Sequence, residues 1–147
     1  RQMGIRERTR CILEKPQGCW IGATMIKLLH VDDDEDILEI SKMALEISGD
    51  IEVVQCPSGH DALWKVNEFI PDVFLLDVMM PDMTGLQTLE KLRERPSLKN
   101  VPVIFMTARV GPVNQNLFDL GAIDVISKPF DPLTLSAQIK SALNNLP

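Results

Sequence analysis

Four polar groups stand where this 147-residue chain leaves an apolar run: Asp32-Asp33-Asp34, Asp77, Thr107 and Lys128. Brought together, Asp32, Asp33 and Asp77 would crowd three carboxylates. Two like charges ~4 Å apart repel by ~4 kcal/mol at an effective dielectric near 20. Such a cluster raises carboxyl pKa values and destabilises a fold unless a cation joins it. All-oxygen ligation with few carboxylates suits Mg²⁺, which keeps waters and shares a phosphate. Lys128 is a point charge able to reach a phosphoryl oxygen, and the Thr107 hydroxyl can hydrogen-bond another. A carboxylate can itself accept a phosphoryl group. Asp77 follows the central apolar run and is the natural acceptor, in a transfer that needs positioning and charge neutralisation.

These groups meet only if the elements between them fold in one way. Strand-length apolar runs occupy Ile26–Val31, Ile51–Gln55, Val73–Leu76, Val101–Met106 and Ile123–Ser127. Each is followed by a helical pattern. Ile37, Ile40, Ala44 and Ile47 mark the inner face of the first helix, which Gly49-Asp50 ends. Ser58 caps the second, with Ala62, Leu63, Val66 and Ile70 inward. Thr84 and Gln87 form a capping box before Leu86, Leu89 and Leu92, and Pro96 stops that helix. Pro112 opens the fourth helix and Gly121 closes it. Leu135, Ile139, Ala142, Leu143 and Leu146 line the last. The alternation predicts an α/β fold of five βα units, a parallel sheet covered on both faces in a three-layer sandwich. Sites in such sheets form at the carboxyl ends of strands near a switch point. The order 2-1-3-4-5 gathers every candidate residue and leaves at an edge the second strand, which ends in Cys56-Pro57 without one.

Composition bounds the rest. The chain is 45% hydrophobic and 24% charged, with formal net charge −6, which disfavours direct nucleic-acid binding. Residues 1–24 carry five basic and two acidic side chains, whereas residues 25–147 carry 10 basic and 19 acidic ones. The first 24 residues lack a clear period and read as an N-terminal extension or upstream-derived segment. The apolar stretch Cys19–Ile26 is too short for a signal peptide and lacks a small-residue cleavage site. No run reaches the ~18–20 apolar residues of a membrane span. Three sparse cysteines, Cys11, Cys19 and Cys56, point to a reducing, cytoplasmic setting.

The segments LLHVDDDEDI, DVFLLDVMMPDMTGL, VIFMTA and VISKPF resemble, in order and spacing, the receiver domain of two-component response regulators, the CheY-like family with a flavodoxin-like fold. The resemblance spans residues 25–147. It implies that Asp77 is phosphorylated by a sensor histidine kinase or a histidine phosphotransfer protein. It implies Mg²⁺ on Asp33, Asp77 and the backbone carbonyl of Met79, with Asp32 acting partly through water. Thr107 becomes the switch hydroxyl and Lys128 the phosphate-pairing lysine, preceding a cis bond to Pro129. Such a domain catalyses its own aspartyl phosphorylation and dephosphorylation without being a conventional enzyme. It controls a downstream effector protein, as a monomer or as a dimer promoted by phosphorylation, and is either stand-alone or excised from a larger protein. Two positions depart from the family: Val125 stands where Tyr or Phe is usual, and Met79 where a polar residue is common. Without that aromatic ring, signal transmission is expected through the backbone of residues 107–112, with Gly111 as hinge and Arg109 repositioned.

Other readings are weaker. A flavin carrier of this fold needs a phosphate-cradling loop after the first strand, and here that loop is the most acidic part of the chain. A phosphohydrolase with an Asp nucleophile needs a second Asp where Met79 stands. A calcium loop beginning at Asp32 would place Ile37 at its glycine and Met43 at its terminal glutamate. The alternative is a phosphate-independent protein-binding module of the same fold, which would be expected to lack Asp77 or Lys128. Asp34, Glu35 and Asp36 read as a solvated helix start, His30 as a strand residue, His60 as an exposed helix residue, and Met79, Met80, Met83 and Met106 as packing.

Overall fold

The computed structural model describes residues 25–108 and 112–146, with the side chains of residues 112–115 left aside. The extension 1–24, Arg109 and Gly111 lie outside the described residues. Five strands form one parallel sheet: β1 Ile26–Val31, β2 Ile51–Cys56, β3 Val73–Asp77, β4 Val103–Thr107 and β5 Ala122–Ser127, in the order β2-β1-β3-β4-β5. Five α-helices connect and follow them: α1 Glu35–Glu46, α2 Gly59–Lys65, α3 Gly85–Leu92, α4 Pro112–Asp119 and α5 Leu135–Asn144. Among the described residues, no helix is long and apolar enough to cross a membrane.

Strand alternation divides the core into two layers. Ile26, Leu28, Leu75, Ile104, Met106 and Ile126 face α1 and α5. Leu29, Val31, Phe74, Leu76, Val103 and Phe105 face α2, α3 and α4. All five residues of β3 and of β4 are buried, the mark of strands covered on both faces. Each fully buried Leu, Ile or Phe contributes roughly 1.5–3 kcal/mol of transfer free energy, so this centre is the rigid part from which the strand ends project.

Local signals place the helices. Ser58 Oγ accepts from the Asp61 amide at 3.1 Å. At α3 both halves of the capping box form: Gln87 N donates to Thr84 Oγ1 at 3.2 Å, and Thr84 N to Gln87 Oε1 at 3.0 Å. Gly49 and Gly121 take φ of 81° and 105° after α1 and α4, a conformation glycine adopts without steric cost.

Three expectations need correction. Ile40 and Ile47 of the first helical segment are exposed, and the buried stripe runs through Ser41, Ala44 and Leu45 instead. β4 starts at Val103, not Val101: Pro102 has no amide to donate and only its carbonyl pairs, accepting from Phe74 N at 2.9 Å. Met79 is not packing but 55% exposed, whereas Met80, Met83 and Met106 are buried.

Thr84→Ala removes one half of the capping box, leaving the Gln87 amide without its acceptor. Urea unfolding should show a loss of about 1 kcal/mol with an unchanged m-value.

Candidate functional site

The acidic cluster is built by register. Val31 pairs with Leu76, so Asp32 and Asp77 follow on neighbouring strands. Asp77 lies on the α1–α5 face because it continues the row of Val73 and Leu75. Asp32, Asp33 and Asp77 each offer a carboxylate oxygen, all within 4.8 Å of one another. Asp32 and Asp77 are buried, and Asp33 is exposed.

Lys128 follows β5 and crosses to this group. Its ammonium lies 2.8 Å from Asp32 Oδ2 and 3.2 Å from Asp77 Oδ1, with only 16% of the side chain exposed. The Lys128–Pro129 peptide is cis. Lys128 N donates to Thr107 O at 2.8 Å, so the ends of β4 and β5 are joined. Thr107 is buried and continues the row of Val103 and Phe105, on the opposite face of the sheet from Asp77.

Asp34 stands apart from the cluster. It caps α1, its Oδ1 accepting from Asp36 N at 2.9 Å and Ile37 N at 3.4 Å. Asp34 N in turn donates to Asp32 Oδ1 at 2.9 Å, which orients the Asp32 carboxylate. On the other side of Asp77, Gly85 opens α3 by donating its amide to Val78 O at 2.9 Å. A Cβ on Gly85 would meet Asp77 O at 2.2 Å, so the helix approaches the Asp77 backbone as only glycine allows.

Electrostatics follow from this crowding. Burial first, then the charge of Asp32, push the Asp77 carboxyl up to about 7, and a hydrogen bond with Asp33 adds to the rise while Lys128 opposes it. Burial alone would lower the Lys128 pKa, but the hydrogen bond and charge of Asp32, and then Asp77, outweigh it and raise it. One ammonium cannot balance three carboxylates. The donor set, all oxygen with one exposed carboxylate, fits a hard divalent cation such as Mg²⁺.

The site also involves His30, which sequence reasoning treated only as a strand residue. It is fully buried on β1, and burial followed by the Lys128 charge pushes its pKa down to about 3. The available signal was an imidazole inside the apolar run two residues before Asp32. Cys56, at the end of β2, is a free buried thiol pushed up to about 11, first by burial.

A family profile, the response regulator receiver domain, matches residues 28–140. The chain is 43% identical over 120 residues to the transcriptional regulatory protein CpxR homolog of Haemophilus influenzae, covering 81% of this chain and 51% of that protein. It is 35% identical over 118 residues to the alkaline phosphatase synthesis transcriptional regulatory protein PhoP of Bacillus subtilis, covering 80% and 48% respectively. It thus spans about half the length of the curated relatives it matches. Among solved structures it is similar to the chemotaxis protein CheY4 of Vibrio cholerae, with TM-score 0.75 and 32% identity over 81% of this chain and 99% of that one.

A carboxyl raised in the folded state loses stability as pH rises. In metal-free protein the Asp77 carboxyl costs nothing below its ordinary range, and it lowers stability progressively as pH rises from there through about 7, where it is half ionised. Denaturation across this window should therefore give a flatter profile for Asp77→Asn, which also becomes the more stable of the two at pH 8.

Proposed function

The chain belongs to the response regulator receiver domains, and from that premise we propose that it takes a phosphoryl group onto Asp77 and relays the resulting change to a partner protein. The observation that carries this is Lys128 held between Asp32 and Asp77 beside a three-carboxylate cluster. The donor is a sensor histidine kinase or histidine phosphotransfer protein. An Asp77 oxygen forms the new bond to phosphorus as the donor's phosphorus–nitrogen bond breaks, and the electron pair leaves with the donor imidazole. Lys128 neutralises charge on the transferring oxygens. The Thr107 hydroxyl supplies a hydrogen bond to one of them.

Asp33, Asp77 and the Met79 carbonyl would hold Mg²⁺, with Asp32 acting partly through water. When bound, the ion would offset carboxylate repulsion and the charge of the phosphoryl oxygens. The matched relatives are transcriptional regulators about twice as long as the segment they share with this chain. The domain read here is strongly acidic, and its proposed role is to control a downstream effector protein rather than to touch nucleic acid itself. It acts as a monomer or as a dimer promoted by phosphorylation. Val125, half-buried on β5 opposite Phe105, is β-branched and stiff at its first torsion. Transmission therefore runs through the backbone after Thr107 rather than through an aromatic rotamer.

Intact mass after incubation with acetyl phosphate should show one added phosphoryl group with Mg²⁺ and far less without it. Asp77→Asn should gain none, and unchanged labelling of that variant would sink the assignment. Calorimetric titration should find Mg²⁺ binding at least tenfold weaker in Asp33→Ala and nearly unchanged in Asp34→Ala, since Asp34 is spent capping α1. Met79 is exposed and apolar beside the acceptor, a poor orienter of the hydrolytic water. Decay of the phosphoprotein should accordingly be faster in Met79→Asn than in the parent chain.

A further inference from the structure

The layer beneath the acidic row is set by register. Gln55 pairs with His30, His30 with Leu75, and Leu75 with Ile104 across β2, β1, β3 and β4. Alternation places all four on the α1–α5 face. Leu75 and Ile104 are apolar and fully buried, whereas His30 puts an imidazole with no exposed surface into the same layer, two residues before Asp32. A leucine would fill that space without any polar atom to satisfy.

Hydrogen bonds fix the ring. Gln55 Nε2 donates to the Leu38 carbonyl of α1 at 2.6 Å, which identifies that atom as the amide nitrogen. The same nitrogen lies 3.2 Å from His30 Nδ1, so Nδ1 accepts and the neutral ring carries its proton on Nε2. The two ring nitrogens point in nearly opposite directions. With Nδ1 engaged by Gln55, Nε2–H is the donor left over on the face that His30 shares with Asp32, two residues on. Nε2 is buried and has no hydrogen-bond partner among the described residues, an arrangement that asks for an explanation.

Above this donor the lysine is committed twice, to Asp32 at 2.8 Å and to Asp77 at 3.2 Å. A phosphoryl group on Asp77 brings further anionic oxygens to the same ammonium. When Lys128 turns to them, the fully buried Asp32 keeps the Asp34 amide on Oδ1 but loses the ammonium on Oδ2, and a buried carboxylate oxygen left unmet is costly. Same-face neighbours on a strand lie about 6.6–6.8 Å apart at Cα. An imidazole and a carboxylate span that gap directly or through one water.

We propose that His30 is a positioning residue of the phosphorylation site, whose Nε2–H is the reserve donor for Asp32 when Lys128 moves to the phosphoryl group. The inference rests on Asp77 as the acceptor. Long-range ¹H–¹⁵N spectra of the wild-type chain should show His30 protonated on Nε2. Adding Mg²⁺ and a fluoroberyllate analogue of the phosphoryl group should move that Nε2–H resonance downfield, the signature of a new hydrogen bond. His30→Leu should be labelled by acetyl phosphate about tenfold more slowly, the scale seen when an outer-shell partner is lost. Its resting stability should not fall, because an unmet donor has been removed. His30→Gln, which keeps a donor, should recover most of the rate. An Nε2–H resonance unmoved by the analogue, or His30→Leu labelling at the parental rate, would overturn the proposal. The spectral arm uses the unaltered chain and decides the matter even if both variants fail to fold. Absence of any labelling or analogue binding by the wild-type chain would instead bring down the reading of Asp77, and this inference with it.

Discussion

Everything at the carboxyl end of the sheet depends on one unequal balance: a single ammonium among three carboxylates. Lys128 reaches Asp32 and Asp77 with a side chain that is largely buried. The interior that strengthens this attraction also penalises each charge it does not cover. The site is therefore held in a charge-deficient state that a cation or a shift of the lysine can relieve. That deficiency makes Asp77 responsive, since its carboxyl would be unremarkable on an open surface.

The rest of the fold keeps that balance in place. The central strands, β3 and β4, are buried along their whole length, and their apolar runs end together. The pleat then sorts the polar residues: Asp77 continues a row that faces α1 and α5, while Thr107 continues the row that faces α2, α3 and α4. Asp32 and Asp77 thus put their charge on one side of the sheet, and the Thr107 hydroxyl lies on the other. Asp34 serves the same end locally, tying α1 to the Asp32 carboxylate through its amide.

Most of this was legible in the amino-acid sequence because strand ends are legible. Apolar runs of four to six residues, bounded by Asp, Thr or Lys, place Asp32, Asp77, Thr107 and Lys128 at strand ends. Capping chemistry at Ser58 and Thr84 is local and was read correctly. The inner face of α1 was misjudged because Ile37, Ile40, Ala44 and Ile47 satisfy helical spacing as well as the stripe through Ser41, Ala44 and Leu45 does. Only the sheet beneath decides between them. Met79 was misjudged because an apolar side chain in a loop gives no sign of which way it points. His30 reads from the sequence only as a strand residue for a deeper reason: its surroundings depend on standing opposite Gln55 across β1 and β2, a register that no local pattern discloses.

The glycine at the start of α3 has a mechanical corollary. Gly85 is set so closely against the Asp77 peptide that any side chain there would meet it, and its amide is tied to Val78 as well. It works as a fixed bearing. The opposite flank of Asp77 faces β4, whose end pairs with that of β5. There the hydrogen bond from Lys128 N to Thr107 O splices two strands into one lever. Lys128 thus meets Asp32 and Asp77 with its side chain and the Thr107 backbone with its amide.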